Sequence, residues 1–133
     1  MSETIPENFL DLFQKKSLAY LSVHLRGEDM MVNPVWCGWD GENVVLNSVE
    51  GRLKDKMMRE HRRVAMCIAD PDNSFRYLDV RGTVIEITAK GADEHIDQLA
   101  KRYMGVDKYP YRRPGDVRVI YRVRPDKVRG AGS

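Results

Sequence analysis

The sequence holds little that could bind a metal or cross-link the chain. It has 2 cysteines, Cys37 and Cys67, far apart and outside any C-x-x-C pattern. Neither a zinc site nor a disulfide framework is indicated, and both read as buried thiols. The 3 histidines, His24, His61 and His95, are scattered with no H-E-x-x-H or other ligand spacing, so no metal is expected. His24 alternates with apolar neighbours as an ordinary strand residue does. No apolar run approaches the roughly 20 residues of a membrane span. The opening MSETIPENF lacks the basic and apolar regions of a signal peptide, which implies a cytoplasmic protein with no membrane partner. Charge is nearly balanced: a formal net charge of +2 is too small to argue for a nucleic-acid partner. Ser22, Ser48 and Ser74 have no G-x-S-x-G setting, and neither a G-x-G-x-x-G nor a Walker loop occurs. No catalytic residue is identifiable, which suits a protein whose bound cofactor carries the chemistry and asks only for binding, orientation and electrostatics.

What the chain has is enough apolar sequence to fold: 42% hydrophobic and 32% charged residues in 133 positions, one domain over 1–133. It is organised around Val44 to Met58, VVLNSVEGRLKDKMM. Val44, Val45 and Leu46 read as a buried strand, Gly51 as a turn, and Leu53 with Met57 as the start of an amphipathic helix. A helix N-terminus already carries unpaired N–H groups and partial positive charge, and Arg52 and Lys54 add two cations to it. An external anion, a phosphate above all, would relieve that conflict. The alternative is a solvated basic face, since Lys56, Arg59, Arg62 and Arg63 continue the run and Asp55 with Arg59 reads as an ordinary i, i+4 pair.

Thr4 and Glu7 have capping-box spacing and predict a short helix from Pro6 to Lys15. Ser17 to Leu25, Met30 to Trp39 and Glu42 to Ser48 read as an antiparallel meander, with Pro34 demanding an edge or a bulge. Arg63 to Ala69 and Phe75 to Thr88 follow as strands, and Gly82 marks a bulge or a close backbone approach. Ile96, Leu99, Ala100 and Tyr103 recur at helical spacing with Gly105 as a stop. After the irregular Asp107 to Gly115 loop, Val117, Val119, Tyr121 and Val123 alternate in a last strand that Pro125 is expected to end. Six strands and two to three helices predict a mainly β (α+β) fold, a small antiparallel barrel or rolled sheet with helices outside it. Its interior would be filled by side chains, so a ligand must sit on the outer surface or between subunits.

Pro34-Val35-Trp36, Asp40-Gly41, Leu46-Asn47-Ser48, Gly51-Arg52-Leu53-Lys54, Asp70-Pro71, Tyr77-Leu78-Asp79-Val80-Arg81-Gly82 and Asp107-Lys108-Tyr109-Pro110 occur in an order that resembles the pyridoxamine-phosphate-oxidase-like split-barrel superfamily. The pattern is similar to its branch that binds the deazaflavin coenzyme F420. The resemblance implies a six-stranded split barrel working as a homodimer, with cofactor in grooves at the subunit interface. It implies that Arg52 and Lys54 bind the cofactor phosphate, that Ser48 and Val49 line the ring with Asn33 and Pro34 beside them, and that Tyr77 comes from the second subunit. It further implies hydride transfer from reduced F420 to an electron-poor small molecule.

Three rivals stand beside that reading: an FMN-dependent oxidase or reductase of the same fold, a non-catalytic cofactor binder, and a basic nucleic-acid module. The last lacks any aromatic-basic pattern of a known RNA or DNA surface.

Overall fold

The computed structural model describes residues 2–132. After a 3-10 helix at Glu7–Phe13 come β1 (Leu18–His24), β2 (Met30–Trp36), β3 (Gly38–Trp39), β4 (Val44–Val49), α1 (Leu53–Glu60), β5 (Arg63–Ala69), β6 (Tyr77–Thr88), α2 (Ala92–Met104) and β7 (Arg118–Ala131). The sheet order is β2-β1-β5-β6-β7-β4-β3, and the paired strands are antiparallel. β2 and β3 therefore lie at opposite ends of the sheet, yet Cys37 alone separates them in the chain. Both ends must meet at that residue, which curls the sheet into a half-barrel.

Seven strands appear where six were expected, because the Met30 to Trp39 strand breaks at Cys37. The break has a definite cause. The Cys37 amide donates to Tyr103 Oη at 3.2 Å, and its carbonyl accepts from Arg102. Side chains of α2 thus take the main-chain bonds that a strand neighbour would have made. The expected antiparallel neighbours are found, β2 pairing with β1 and β3 with β4, and β4 pairs with β7 as well.

Period-two alternation turns one face of each strand inward. Leu21 and Val23 from β1, Met66 and Ile68 from β5, Leu78 and Val80 from β6, and Tyr121 and Val123 from β7 fill the interior. On the opposite face of β4 and β7, Val45 and Ile120 pack against Ala92 of α2. This second covering explains why the first residues of β7 are buried in succession instead of alternating.

The expected short helix over Pro6 to Lys15 is a 3-10 helix at Glu7–Phe13, and the Thr4–Glu7 capping box is absent: Pro6 occupies the cap position without a side-chain cap bond. Arg76 fastens this segment to the barrel through Asp11 at 2.6 Å and Asp70 at 2.8 Å. Pro125 does not end the last strand. β7 runs on to Ala131, because Pro125 pairs with Gly82 at a register shift, where a missing N–H leaves no regular ladder bond unmade. Gly82 is there because a Cβ would lie 2.6 Å from the Arg124 carbonyl oxygen. Cys37 is buried, but Cys67 is only half-buried. Among the described residues no helix is long and apolar enough to cross a membrane, and no group of 3 or more His, Cys, Asp or Glu side chains could hold a metal ion.

Candidate functional site

β4 ends at Val49 and the chain reverses through Gly51, whose φ of 93° lies in the region that favours glycine, to begin α1 at Leu53. Arg52 is the cap residue and makes no side-chain cap bond. Asp55, two residues beyond Leu53, takes over that work. Its Oδ2 accepts the Gly51 N–H at 2.9 Å, and its Oδ1 accepts from Arg59 Nε at 3.0 Å and from Tyr121 Oη at 2.6 Å. The carboxylate is 1% exposed. Burial by itself would raise its pKa, but the bonds from Gly51, Tyr121 and Arg59 outweigh it and hold the group below the usual carboxylate range. Asp55 is thus more than an i, i+4 partner of Arg59: it locks the turn. It also supplies the acidic first-turn residue that the helix dipole favours, so the conflict at this terminus is confined to Arg52 and Lys54.

Those two side chains line one concave cleft of about 420 Å³ together with Pro34, Ser48, Trp36 and Arg118. Tyr109 and Tyr111 of the Asp107 to Gly115 loop form its far wall. Arg118 opens β7, is 7% exposed, donates from Nη1 to Asn47 Oδ1 at 3.0 Å, and lies with its Cζ 4.7 Å from the centroid of the Tyr109 ring. Among the described residues none of Arg52, Lys54 and Arg118 is paired with a carboxylate, although 14 ion pairs form elsewhere. Burial, and then the charge of Arg52, push the Lys54 pKa down. The cleft is therefore electropositive, partly desolvated and without a counter-charge of its own, which is what an anionic ligand group requires.

Of the residues that the sequence pointed to, Arg52, Lys54, Ser48 and Pro34 come together in this cleft. Val49, 6% exposed, ends β4 opposite Arg118 on the face that Val45 turns to α2, and does not line the cleft. Asn33 shares the inward side of β2 with Met31 and Val35, which pack on the core; its Oδ1 is buried without a partner among the described residues, and it does not line the cleft. Tyr77 lies on β6 between Ala69 and Ala131, 39% exposed and away from the cleft of its own chain. Arg118 and Asn47 escaped the sequence reading as site residues. The available signal was a charged residue between Val117 and Val119, inside an otherwise apolar run.

A larger cavity, about 700 Å³, lies against another face of α2, between His95, Arg102 and Trp39.

No family model matches the chain, and no curated protein does. Solved structures do. An F420 reductase is 31% identical, over 94% of this chain and 98% of that one, with a TM-score of 0.81. A conserved hypothetical protein of Mycobacterium tuberculosis is 17% identical, over 98% of this chain and 86% of that one, with a TM-score of 0.76. A candidate pyridoxamine 5′-phosphate oxidase from Listeria innocua is 16% identical, over 95% and 94% of the two chains, with a TM-score of 0.68. At those last two identities the likeness is one of fold.

Proposed function

The chain belongs to the pyridoxamine-phosphate-oxidase-like split-barrel superfamily, in its F420 branch, and from that premise we propose that it is an oxidoreductase that binds deazaflavin coenzyme F420 and reduces an electron-poor small molecule. One observation supports this above the rest: Arg52, Lys54 and Arg118 converge on a single cleft with no carboxylate among the described residues to balance them. Arg52 and Lys54 take the cofactor phosphate, and Asp55 holds the turn that presents them. Arg118, fixed by Asn47 and by the Tyr109 ring, adds a third, less mobile donor. Trp36 offers a flat apolar wall, since its ring stacks on Tyr103 at 5.0 Å and cannot swing freely. When bound, reduced F420 supplies the hydride. The protein orients the ring and excludes water from it, and no side chain of the cleft is assigned as acid or base.

A cleft of about 420 Å³ is too small to enclose a cofactor with a long tail, so a second copy of the chain completes the groove. The outer face of β2, β1, β5 and β6 is the surface for it. Val32, at 64% exposed, Tyr20, at 43%, and Tyr77 lie there with no helix packed over them. The partner's copy of that face is the source of the Tyr77 contact.

The deciding experiment titrates the protein into oxidised F420 and, separately, into FMN, following fluorescence. Saturable binding of F420 supports the proposal. Saturation with FMN alone overturns the cofactor assignment, and saturation with neither overturns the cofactor-binding reading. Consumption of reduced F420 with a panel of electron-poor alkenes then separates an enzyme from a carrier.

A further inference from the structure

The larger cavity beside α2 has a hydrogen-bond donor whose orientation is dictated from the first cleft. Arg118 can only donate, so the Asn47 atom 3.0 Å from its Nη1 must be the carbonyl oxygen. Asn47 Nδ2 therefore points the other way, where it donates to the Ala92 carbonyl at 2.9 Å and meets His95 Nδ1 at 3.0 Å. Nδ1 must accept, which leaves the proton of a neutral ring on Nε2. Burial, and then the charges of Arg122 and Arg102, hold the His95 pKa down to about 4, so the ring is neutral at physiological pH.

That Nε2–H has no protein acceptor among the described residues. It faces the space above Gly38, where a Cβ would stand 3.9 Å from His95 Nε2 and 3.9 Å from Arg102 Nη2. Arg102 Nη2 already donates one N–H to the Cys37 carbonyl, so its remaining N–H and the His95 Nε2–H are the donors beside this gap, which a glycine keeps open. Arg102 and Lys90, both at this cavity, have no carboxylate partner among the described residues, whereas the Asp40 carboxylate is paired with Arg122 at 3.2 Å, a guanidinium it shares with Glu86 at 2.7 Å. Glu94, on the rim, is exposed. Gln14 and Gln98 also line the cavity, and its aromatic side is Trp39, which stacks on Phe13 with centroids 5.4 Å apart.

We propose that this cavity is a second ligand site, selective for a small aromatic carboxylate whose carboxylate meets His95 Nε2–H and Arg102 above Gly38 and whose ring lies against Trp39. Asn47 then couples the two sites, because the same amide bonds Arg118 in one and His95 in the other. The site stands independently of the cofactor assigned to the first cleft.

The test titrates benzoate, with benzamide as the neutral control, into the full-length protein. It follows the Trp39 indole N–H and the His95 ring nitrogens by NMR. Saturable benzoate shifts at those groups are expected, with His95 in the Nε2–H form and benzamide weaker. Gly38→Ala is the blocking variant: Gly38 is not among the glycines with positive φ and its Cβ would meet only ordinary contacts, so the fold is retained. That Cβ fills the space between the two donors, and loss of a charge-assisted bond predicts benzoate binding weaker by about tenfold or more. F420 affinity should survive that substitution, so failure here and failure of the cofactor assignment are separable. Shifts that never saturate, that are the same in Gly38→Ala, or that centre on Trp36 and Arg118 would overturn the proposal.

Discussion

Tyr121 donates its hydroxyl to Asp55 at 2.6 Å, joining the first half of the last strand to the first turn of α1 across 66 residues of sequence. Both residues are buried, Tyr121 completely, so the bond forms where water cannot replace it. It is the tie that seats the Gly51 turn on the barrel.

Removing either partner should therefore cost stability and binding together. Tyr121→Phe loses one buried bond to a charged group, about 1.5–3 kcal/mol. Asp55→Ala also orphans the Gly51 N–H and the Tyr121 hydroxyl, and should cost more, about 3–5 kcal/mol. Urea denaturation reads both values. An Asp55→Ala protein as stable as the wild type would show that the turn is held by something else.

Arg52 and Lys54 should behave in the opposite way. Neither is paired to a carboxylate among the described residues, so Arg52→Ala and Lys54→Ala should leave the unfolding midpoint close to that of wild type. Each should weaken cofactor binding by about 10- to 150-fold, corresponding to about 1.5–3 kcal/mol for a charge-assisted bond. Phosphate added to the free protein should raise the melting temperature of wild type more than that of Lys54→Ala. Calorimetry and thermal scans check both statements.

Asp70 sets an acid limit on stability. The Asp72 N–H, then Arg76 and Lys15, lower its pKa from 3.8 to about 2 in the folded chain. A depressed carboxylate stabilises the folded state fully above its unfolded pKa, and that contribution is lost as pH falls through the folded value. Stability should decline between about pH 4 and pH 2 in wild type. Asp70→Asn should be less stable at neutral pH and show a shallower decline over the same window, as measured by denaturant midpoints at each pH.

Gly82→Ala should be strongly destabilising, by about 2–4 kcal/mol, because the new methyl would overlap the Arg124 carbonyl oxygen on the paired strand. Gly38→Ala, with no contact closer than 3.9 Å, should be near neutral in the same denaturation experiment.

Residues close together in sequence carried most of what could be read without the fold. Alternation placed β1, β5 and β6 within a few residues of their true ends, and helical spacing with a glycine stop placed α2. Gly51 followed by two cations located the turn. The errors lie where distant parts of the chain intervene. Cys37 reads as mid-strand until Tyr103 and Arg102 take its main-chain bonds, and Pro125 reads as a stop until Gly82 is set opposite it. Asp55 looks like half of a surface pair until Tyr121 reaches it.

The sequence by itself determined the elements, the apolar faces that bury them, and the presence of an unneutralised basic turn, because each depends on residues within one or two turns or a single strand. Only the tertiary structure decided which strands meet at Cys37, that Arg118 joins Arg52 and Lys54, and that Asn47 links two cavities. Those relations depend on side chains many residues apart converging at hydrogen-bond distance, and local periodicity carries no information about which distant partner arrives.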